Sequence, residues 1–144
     1  MVTLEKLYDK AEQENINIHN FNLENHKGCY YEYKNKKFIF MNYCYINSET
    51  EEKLTLSEEL AHYYTGATYN IDDTYYLKEK AEYKALKWQI NTLLPYSELS
   101  TQIKKGLTEI WELAEYFQVS EDFIRQALEY YKNKNLVGGF YYEN

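Results

Sequence analysis

The sequence predicts an α+β fold, in which a small β-sheet lies among helices. The clearest observation is the aromatic and β-branched run GCYYEYKNKKFIFMNYCYI, residues 28–46, which has the composition of strands. On both sides of this run, apolar residues recur at helical spacing. With 44% hydrophobic and 18% aromatic residues, the chain has enough apolar surface to offset the entropy of ordering. We expect a single domain, 1–144, with a core at 1–95 and a C-terminal helical extension at 96–144 packed on it.

Charge and hydropathy exclude several classes of protein. The net charge of −7 argues against a surface built to neutralise phosphates, so direct binding of nucleic acid is not expected. No segment approaches about 18 consecutive apolar residues, and the N-terminus lacks the apolar core of a signal peptide. A cytoplasmic protein without a membrane span is therefore expected. In that compartment, Cys29 and Cys44 are predicted to be reduced, half-buried strand residues rather than a disulfide.

The first elements are predicted to be a short helix, a strand and a hairpin. Residues 3–14 carry four side chains on one helical stripe: Leu4, Leu7, Tyr8 and Ala11. Ile16 and Ile18 then alternate with polar neighbours, which is the two-residue period of a strand. The aromatic run flanks a short polar turn at 34–36, so strands are expected near 28–33 and 37–45.

A helix is predicted over about 49–65. The tetrapeptide SETE before and within its first turn is a capping box, in which Ser48 caps the helix while Glu51 reaches back. Gly66 supplies the left-handed residue that commonly ends a helix.

A loop at 67–75 leads to a second long helix, expected from about 76 to 94 and stopped by Pro95, the only proline. Glu82 flanks a face of this helix that has small residues at its N-terminal end, where a helix can pack closely on a neighbour. That face consists of Ala81, Ala85, Trp88 and Thr92. A purely solvated role suits Glu82 poorly, although an ordinary half-exposed charge is the alternative.

Three shorter helices are predicted after Pro95, with N-caps at Ser97, Thr108 and Ser120 and with Gly106 between the first two. Gly138–Gly139 and an aromatic tail close the chain.

The stretch TEIWELAEYFQVSEDFIRQALEYYKN, residues 108–133, has the pattern of a helix-turn-helix. In a DNA reader, the second helix would bring its first residues near bases and phosphates. Here those residues are Glu121 and Asp122, with only Arg125 as a cation. Packing on the core or recognition of a protein partner is therefore favoured over DNA binding. The predicted interior consists of Ile110, Leu113, Ala114, Phe117, Val119, Ile124 and Leu128.

The candidate chemistry lies in LSEELAHYYTG, residues 56–66. Residues four apart on a helix share a face, so Glu58 and His62 can bind one ion together. Glu59 lies about 100° around the helix from Glu58, where it can take a proton from water beside the ion. Adjacent glutamates are also common on solvated helix faces, which is the alternative interpretation of this motif.

Glu82, twenty residues after His62, adds a third possible ligand. Thermolysin-like zinc sites take two residues from one helix and a glutamate from a later one, and leave a fourth position for water. The second helix therefore favours a metal site over a solvated face.

Together, LSEELAHYYTGATYNI and EYKALKWQINTLLP resemble the ImmA/IrrE family of metallopeptidases, which is common in phages and mobile elements. The resemblance extends to KGCYYEYKNKKFIFMN and covers roughly residues 3–130. It implies a zincin-like minimal core, with an N-terminal helix, a small sheet with a hairpin, an active-site helix and a second ligand helix. It implies Glu59 as the catalytic residue and His62 and Glu82 as metal ligands.

The chain departs from the family motif H-E-x-x-H at Glu58, which stands where the family has its first histidine. Carboxylate oxygen can bind Zn²⁺ at distances similar to those of imidazole nitrogen, so Glu58, His62 and Glu82 are the predicted ligand set. Two carboxylates should also tolerate Mn²⁺ better and make bound water less acidic. His19 and His26 are alternative sources of a ligand.

The sequence is compatible with two functions. By family resemblance, the first is a zinc-dependent endopeptidase that cleaves a helix-turn-helix repressor of a phage or mobile element. The outer strand of the hairpin could hold the extended substrate by adding it to the sheet. The alternative is a catalytically weak or inactive pseudo-peptidase that binds a repressor or toxin, although a pure binder has no need of Glu59. The sequence leaves the oligomeric state open.

Overall fold

The computed structural model describes residues 1–70 and 72–134. Within these ranges the fold is α+β, as predicted, with six α-helices and a three-stranded sheet consistent with a zincin-like domain. Gly138–Gly139 and the aromatic tail lie outside the described residues. The elements in chain order are α1 (Leu4–Gln13), β1 (Ile16–Asn20), β2 (Gly28–Tyr33), β3 (Lys36–Met41), α2 (Glu49–Thr65), α3 (Tyr75–Leu93), α4 (Tyr96–Lys104), α5 (Ile110–Phe117) and α6 (Glu121–Asn133).

Internal contacts divide the chain into two units. Of the described residues, those from Val2 to Gln89 form the N-terminal unit, and Met1 with those from Ile90 on form the C-terminal unit. The expectation of one domain, with helices at 96–144 packed on a core at 1–95, stays a prediction. None of the helices in the described ranges combines the length and apolarity needed to span a bilayer.

The sheet has the order β1–β3–β2, with β1 parallel and β2 antiparallel to β3. The β2–β3 hairpin turns at Lys34 and Asn35, whose φ angles of 50° and 66° are both positive. Two such residues form the type I′ turn whose twist matches that of antiparallel strands. Among the residues that the structure describes, β2 has a partner strand on one side only, so it forms an edge of this sheet.

The predicted strand 37–45 is too long, since β3 ends at Met41 and a 3₁₀ turn follows at Tyr43–Tyr45. Asn42 explains the change of direction. Its buried side-chain amide donates to the carbonyls of Leu23 and His26, at 2.8 and 3.0 Å, which ties the chain to the preceding connection. A tertiary contact of one side chain therefore overrides the strand pattern.

The two cysteines are free, as expected, but both are exposed rather than half-buried. Cys29 lies in β2, whereas Cys44 lies in the 3₁₀ turn after β3 and is not a strand residue.

The core of the N-terminal unit lies between one face of the sheet and helices α1 and α2. Alternation along β3 places Ile39 and Met41 in this core, and both are fully buried. They are joined by Leu7 of α1 and by Leu56 and Leu60 of α2, which are equally inaccessible. This layer fixes α2 against the sheet, and thereby positions the residues of its other face.

Both ends of α2 agree with the prediction. Ser48 Oγ accepts from the Glu51 N–H at 3.1 Å. The Glu51 carboxylate reaches back one residue further than a capping box requires, and accepts from the Asn47 N–H at 2.6 Å. The helix ends where Gly66 adopts a φ of 64°.

In the C-terminal unit, one of the three predicted caps is correct. Ser120 caps α6 by accepting from the Phe123 N–H at 3.1 Å. Ser97 instead lies inside α4, which begins directly after Pro95. Thr108 is one residue too early, because the Glu112 carboxylate accepts from the Glu109 N–H at 3.1 Å and fixes the start of α5 there.

The predicted interior of the helix-turn-helix pattern is buried, apart from the half-buried Ile110. Its buried members are Leu113, Ala114, Phe117, Val119, Ile124 and Leu128.

Candidate metal centre

A cleft of about 320 Å³ lies in the N-terminal unit. Its walls are the edge strand β2, helix α2, the loop after Gly66 and the N-terminal half of α3. The side chains that line it include all four predicted site residues: Glu58, Glu59, His62 and Glu82.

Helices α2 and α3 bring three of these residues together. Glu58, His62 and Glu82 each offer one ligand atom, and these atoms all lie within 4.8 Å of one another. His62 Nε2 is 3.5 Å from Glu82 Oε1. The His62 side chain is 11% exposed and that of Glu82 is 42% exposed, so the group is anchored at its base and open towards the cleft. The Glu–His–Glu group is therefore placed to hold a metal ion.

The orientation of His62 depends on the chain just after α2. His62 Nδ1 lies 2.6 Å from the carbonyl oxygen of Ala67. A carbonyl can only accept, so Nδ1 carries a proton and donates it to this contact. Gly66, in the left-handed conformation, reverses the chain so that the Ala67 carbonyl points back at the helix. Such a partner fixes the tautomer and ring orientation of a metal-binding histidine.

This tautomer makes a cation the natural occupant of the group. In a neutral imidazole with Nδ1 protonated, Nε2 carries a lone pair, and it faces a carboxylate oxygen of Glu82. Two acceptors face each other favourably only with a proton or a metal ion between them. Desolvation, and then the nearby charge of Glu82, raise the pKa of Glu58, while His62 opposes this rise. A divalent cation would bind the two facing acceptors and would also balance the negative charge near Glu58, so the donor set fits such an ion.

Glu59 lies beside this group, on the side of the sheet. It is 7% exposed, and its carboxylate accepts a hydrogen bond from the backbone N–H of Tyr30 in β2. Burial, followed by the charge of Glu58, raises the pKa of Glu59 to about 8, against the effect of the Tyr30 hydrogen bond. A carboxyl with a pKa near neutrality can both accept and return a proton.

Gly28 permits this close approach of β2 to α2. A Cβ atom at this position would lie 2.8 Å from Thr55 Cγ2 and 3.2 Å from Glu59 Cγ. A side chain at Gly28 would therefore displace the catalytic candidate or the strand beside it.

The two alternative histidines lie elsewhere. His26 lines the cleft but is not one of the grouped ligand atoms. His19 lies on the outer face of the sheet, with its ring centroid 6.0 Å from that of Phe38.

Tyr69 is a cleft residue that the sequence interpretation passed over. It lies in the loop after Gly66, and its hydroxyl forms a hydrogen bond with the Glu82 carboxylate. Desolvation, followed by the charge of Glu82, raises the pKa of Tyr69. The available signal was weak: a tyrosine within a polar loop that directly follows a candidate ligand helix.

Comparison with known proteins supports the interpretation of the cleft as a metallopeptidase site. The model of a peptidase family, M78, described as the IrrE N-terminal-like domain, matches residues 11–129. No curated protein and no solved structure matches the chain significantly. The matched range contains the whole cleft.

Proposed function

We propose that this chain, which belongs to the IrrE N-terminal-like domain family of peptidases, is a zinc-dependent endopeptidase. Family membership indicates a metallopeptidase type of function. The observation that carries the proposal is the arrangement of three ligand atoms within 4.8 Å, with the buried Glu59 next to them.

Glu58, His62 and Glu82 would hold the ion. An ion bound there would polarise the scissile carbonyl group and lower the pKa of a water molecule. Zinc is proposed as the natural metal, and Mn²⁺ as an acceptable substitute because two of the three ligands are carboxylates.

Glu59 is proposed to move the proton. It takes a proton from the attacking water and then gives it to the leaving amine. Its burial beside the ligand group supports this role, because a carboxylate that is shielded from water is a stronger base than a solvated one. The Tyr30 N–H restrains the Glu59 carboxylate, and the Glu59 side chain lines the cleft.

The substrate is proposed to be a protein, bound in an extended conformation along β2. This strand is an edge of the sheet and its residues Gly28, Cys29 and Tyr30 line the cleft. An extended segment can pair with such an edge through backbone hydrogen bonds. By analogy with the family, we propose a helix-turn-helix repressor of a phage or mobile element as the partner, in the cytoplasm and without direct DNA binding.

Glu59→Gln tests this function directly. The variant keeps the shape of the side chain but cannot act as a base, so cleavage should slow by about 10²–10⁴-fold while zinc binding is retained. The chain would be co-expressed with a helix-turn-helix repressor of a phage or mobile element, and repressor cleavage followed over time. Glu79→Gln, an exposed change on α3, is the matched control and should cleave like the wild type.

The outcome separates the two functions. Cleavage by wild type and by Glu79→Gln, but not by Glu59→Gln, supports the peptidase. Equal binding without cleavage by all three proteins would overturn it in favour of a repressor-binding protein. The low exposure of Glu59 within a cleft favours the first outcome, since a binder gains nothing from a buried carboxyl there.

A further inference from the structure

Tyr69 is a cleft residue to which the proposed function gives no role. Its hydroxyl forms a hydrogen bond with Glu82, one of the three ligand side chains. The charges of Glu58 and Glu59 also raise the pKa of Tyr69. The phenol therefore lies within one hydrogen bond of the ligand group. Tyr69 is 42% exposed, so its ring lies at the open cleft rather than in the packed core.

The loop that carries Tyr69 is built to hold it there. Ala67, two residues earlier, is tied to His62 Nδ1 through its carbonyl. Asn70, one residue later, donates its N–H to Asp73 Oδ2 at 2.7 Å. Lys78 Nζ, on α3, lies 5.9 Å from the centroid of the Tyr69 ring. The segment is thus held by contacts on both sides of Tyr69.

The other groups near the reacting position are mostly acceptors. Glu58, Glu59 and Glu82 all line the cleft, and Nδ1 of His62 is engaged by Ala67. Peptide hydrolysis places negative charge on the carbonyl oxygen of the substrate, which a bound divalent ion would offset in part and to which ionised carboxylates cannot donate. A neutral hydroxyl donor adds a hydrogen bond to that oxygen without adding a further charge.

We propose that Tyr69 is a catalytic residue, whose hydroxyl leaves Glu82 and donates a hydrogen bond to the substrate carbonyl oxygen as negative charge develops on it. The inference rests on the proposed peptidase function. Before reaction, the same hydroxyl is satisfied by Glu82, so exchanging partners gains little in the ground state. The contact therefore stabilises the transition state more than the bound substrate, which is the requirement for raising kcat.

Tyr69→Phe tests this role by binding measurements on the zinc-loaded protein. Two probes are compared: a phosphoryl dipeptide, which presents tetrahedral anionic oxygens, and a thiol dipeptide, which binds through sulfur and lacks them. The variant should bind the phosphoryl dipeptide about 10- to 100-fold more weakly, the usual effect of losing one hydrogen bond to a charged group. Binding of the thiol dipeptide and of zinc should be unchanged. Tyr76→Phe, an exposed tyrosine on α3, serves as control and should bind both probes like the wild type.

Each result has a distinct meaning. Equal weakening of both probes, or no change in either, overturns the role of Tyr69 but leaves the peptidase proposal standing. Loss of zinc affinity without a selective loss for the phosphoryl dipeptide would show that Tyr69 only positions Glu82, and would also overturn it. Failure of the wild type to bind zinc or the thiol dipeptide would instead overturn the proposed function, and this inference with it.

Discussion

Helix α2 supplies three of the four predicted site residues, whereas the loop at 66–74 supplies none of them. In α2 the positions follow from the helical period, which sets Glu58 and His62 one turn apart on the same face. The loop instead contributes a backbone carbonyl, that of Ala67, and the hydroxyl of Tyr69. The regular element thus selects the candidate ligands, and the irregular segment orients them and completes the cleft.

The largest effect that we predict concerns Glu59 of α2 and the pH dependence of folding in metal-free protein. The pKa of Glu59 is raised from its ordinary value of 4.5 to about 8. Between these values the carboxyl is protonated when folded and ionised when unfolded, so stability falls as pH rises. The contribution is complete below about pH 4.5 and is lost towards pH 8.

Relative to Glu59→Gln, which cannot ionise, the free energy of unfolding of wild type should therefore fall by about 3 kcal/mol between pH 5 and pH 8. Urea unfolding at several pH values, in the presence of a chelator, measures this difference. Parallel pH profiles for the two proteins would mean that Glu59 is ionised and solvated in the folded state, which contradicts the prediction.

The parts of the fold that sequence predicted well are those set by local chemistry. The bounds of α2 follow from Ser48 and Gly66, two residues whose preferred conformations match the ends of a helix. The grouping of Glu58 and His62 follows from spacing alone, and Glu82 was found because a second helix carries a charge beside small residues.

The parts that were missed depend on contacts between distant residues. The end of β3 is set by the side chain of Asn42, which bonds to carbonyls some twenty residues earlier, so no local pattern indicates it. The sequence offers Thr108 as the cap of α5, but the helix starts after Glu109, because the Glu112 carboxylate accepts from the Glu109 N–H. Tyr69 was missed because a loop has no period that would direct its side chain to the cleft.

A smaller effect is predicted on the loop side, where Gly66→Ala should weaken zinc binding. The φ of 64° at Gly66 strains any residue with a Cβ, at about 1 kcal/mol, and no atom lies within 4 Å to obstruct it. Relief of this strain would shift the loop and draw the Ala67 carbonyl away from His62 Nδ1. Loss of such a partner typically weakens metal affinity by about 10–100-fold.

Gly106→Ala is the matched control, because Gly106 also has a positive φ, of 111°, and lies in the C-terminal unit. Both variants should unfold at lower urea concentration, but only Gly66→Ala should lose zinc affinity in competition with a chelator. If the two variants bound zinc equally well, the loop would have no part in orienting His62.

The smallest effect is predicted for Glu58→His, which exchanges one candidate ligand for another within the same helix. Imidazole is a common zinc ligand, and the change removes a carboxyl whose pKa is raised by desolvation and by Glu82. Imidazole nitrogen suits the borderline-soft zinc ion better than carboxylate oxygen does, so zinc should bind on the order of tenfold more tightly, about 1.4 kcal/mol. Mn²⁺ should gain less, because it prefers oxygen ligands. Glu79→His, an exposed change on α3, controls for the added histidine and should leave both affinities unaltered. Weaker zinc binding by Glu58→His would mean that the carboxylate suits its surroundings better than imidazole does, and that the spacing of α2 alone does not decide which ligand works best there.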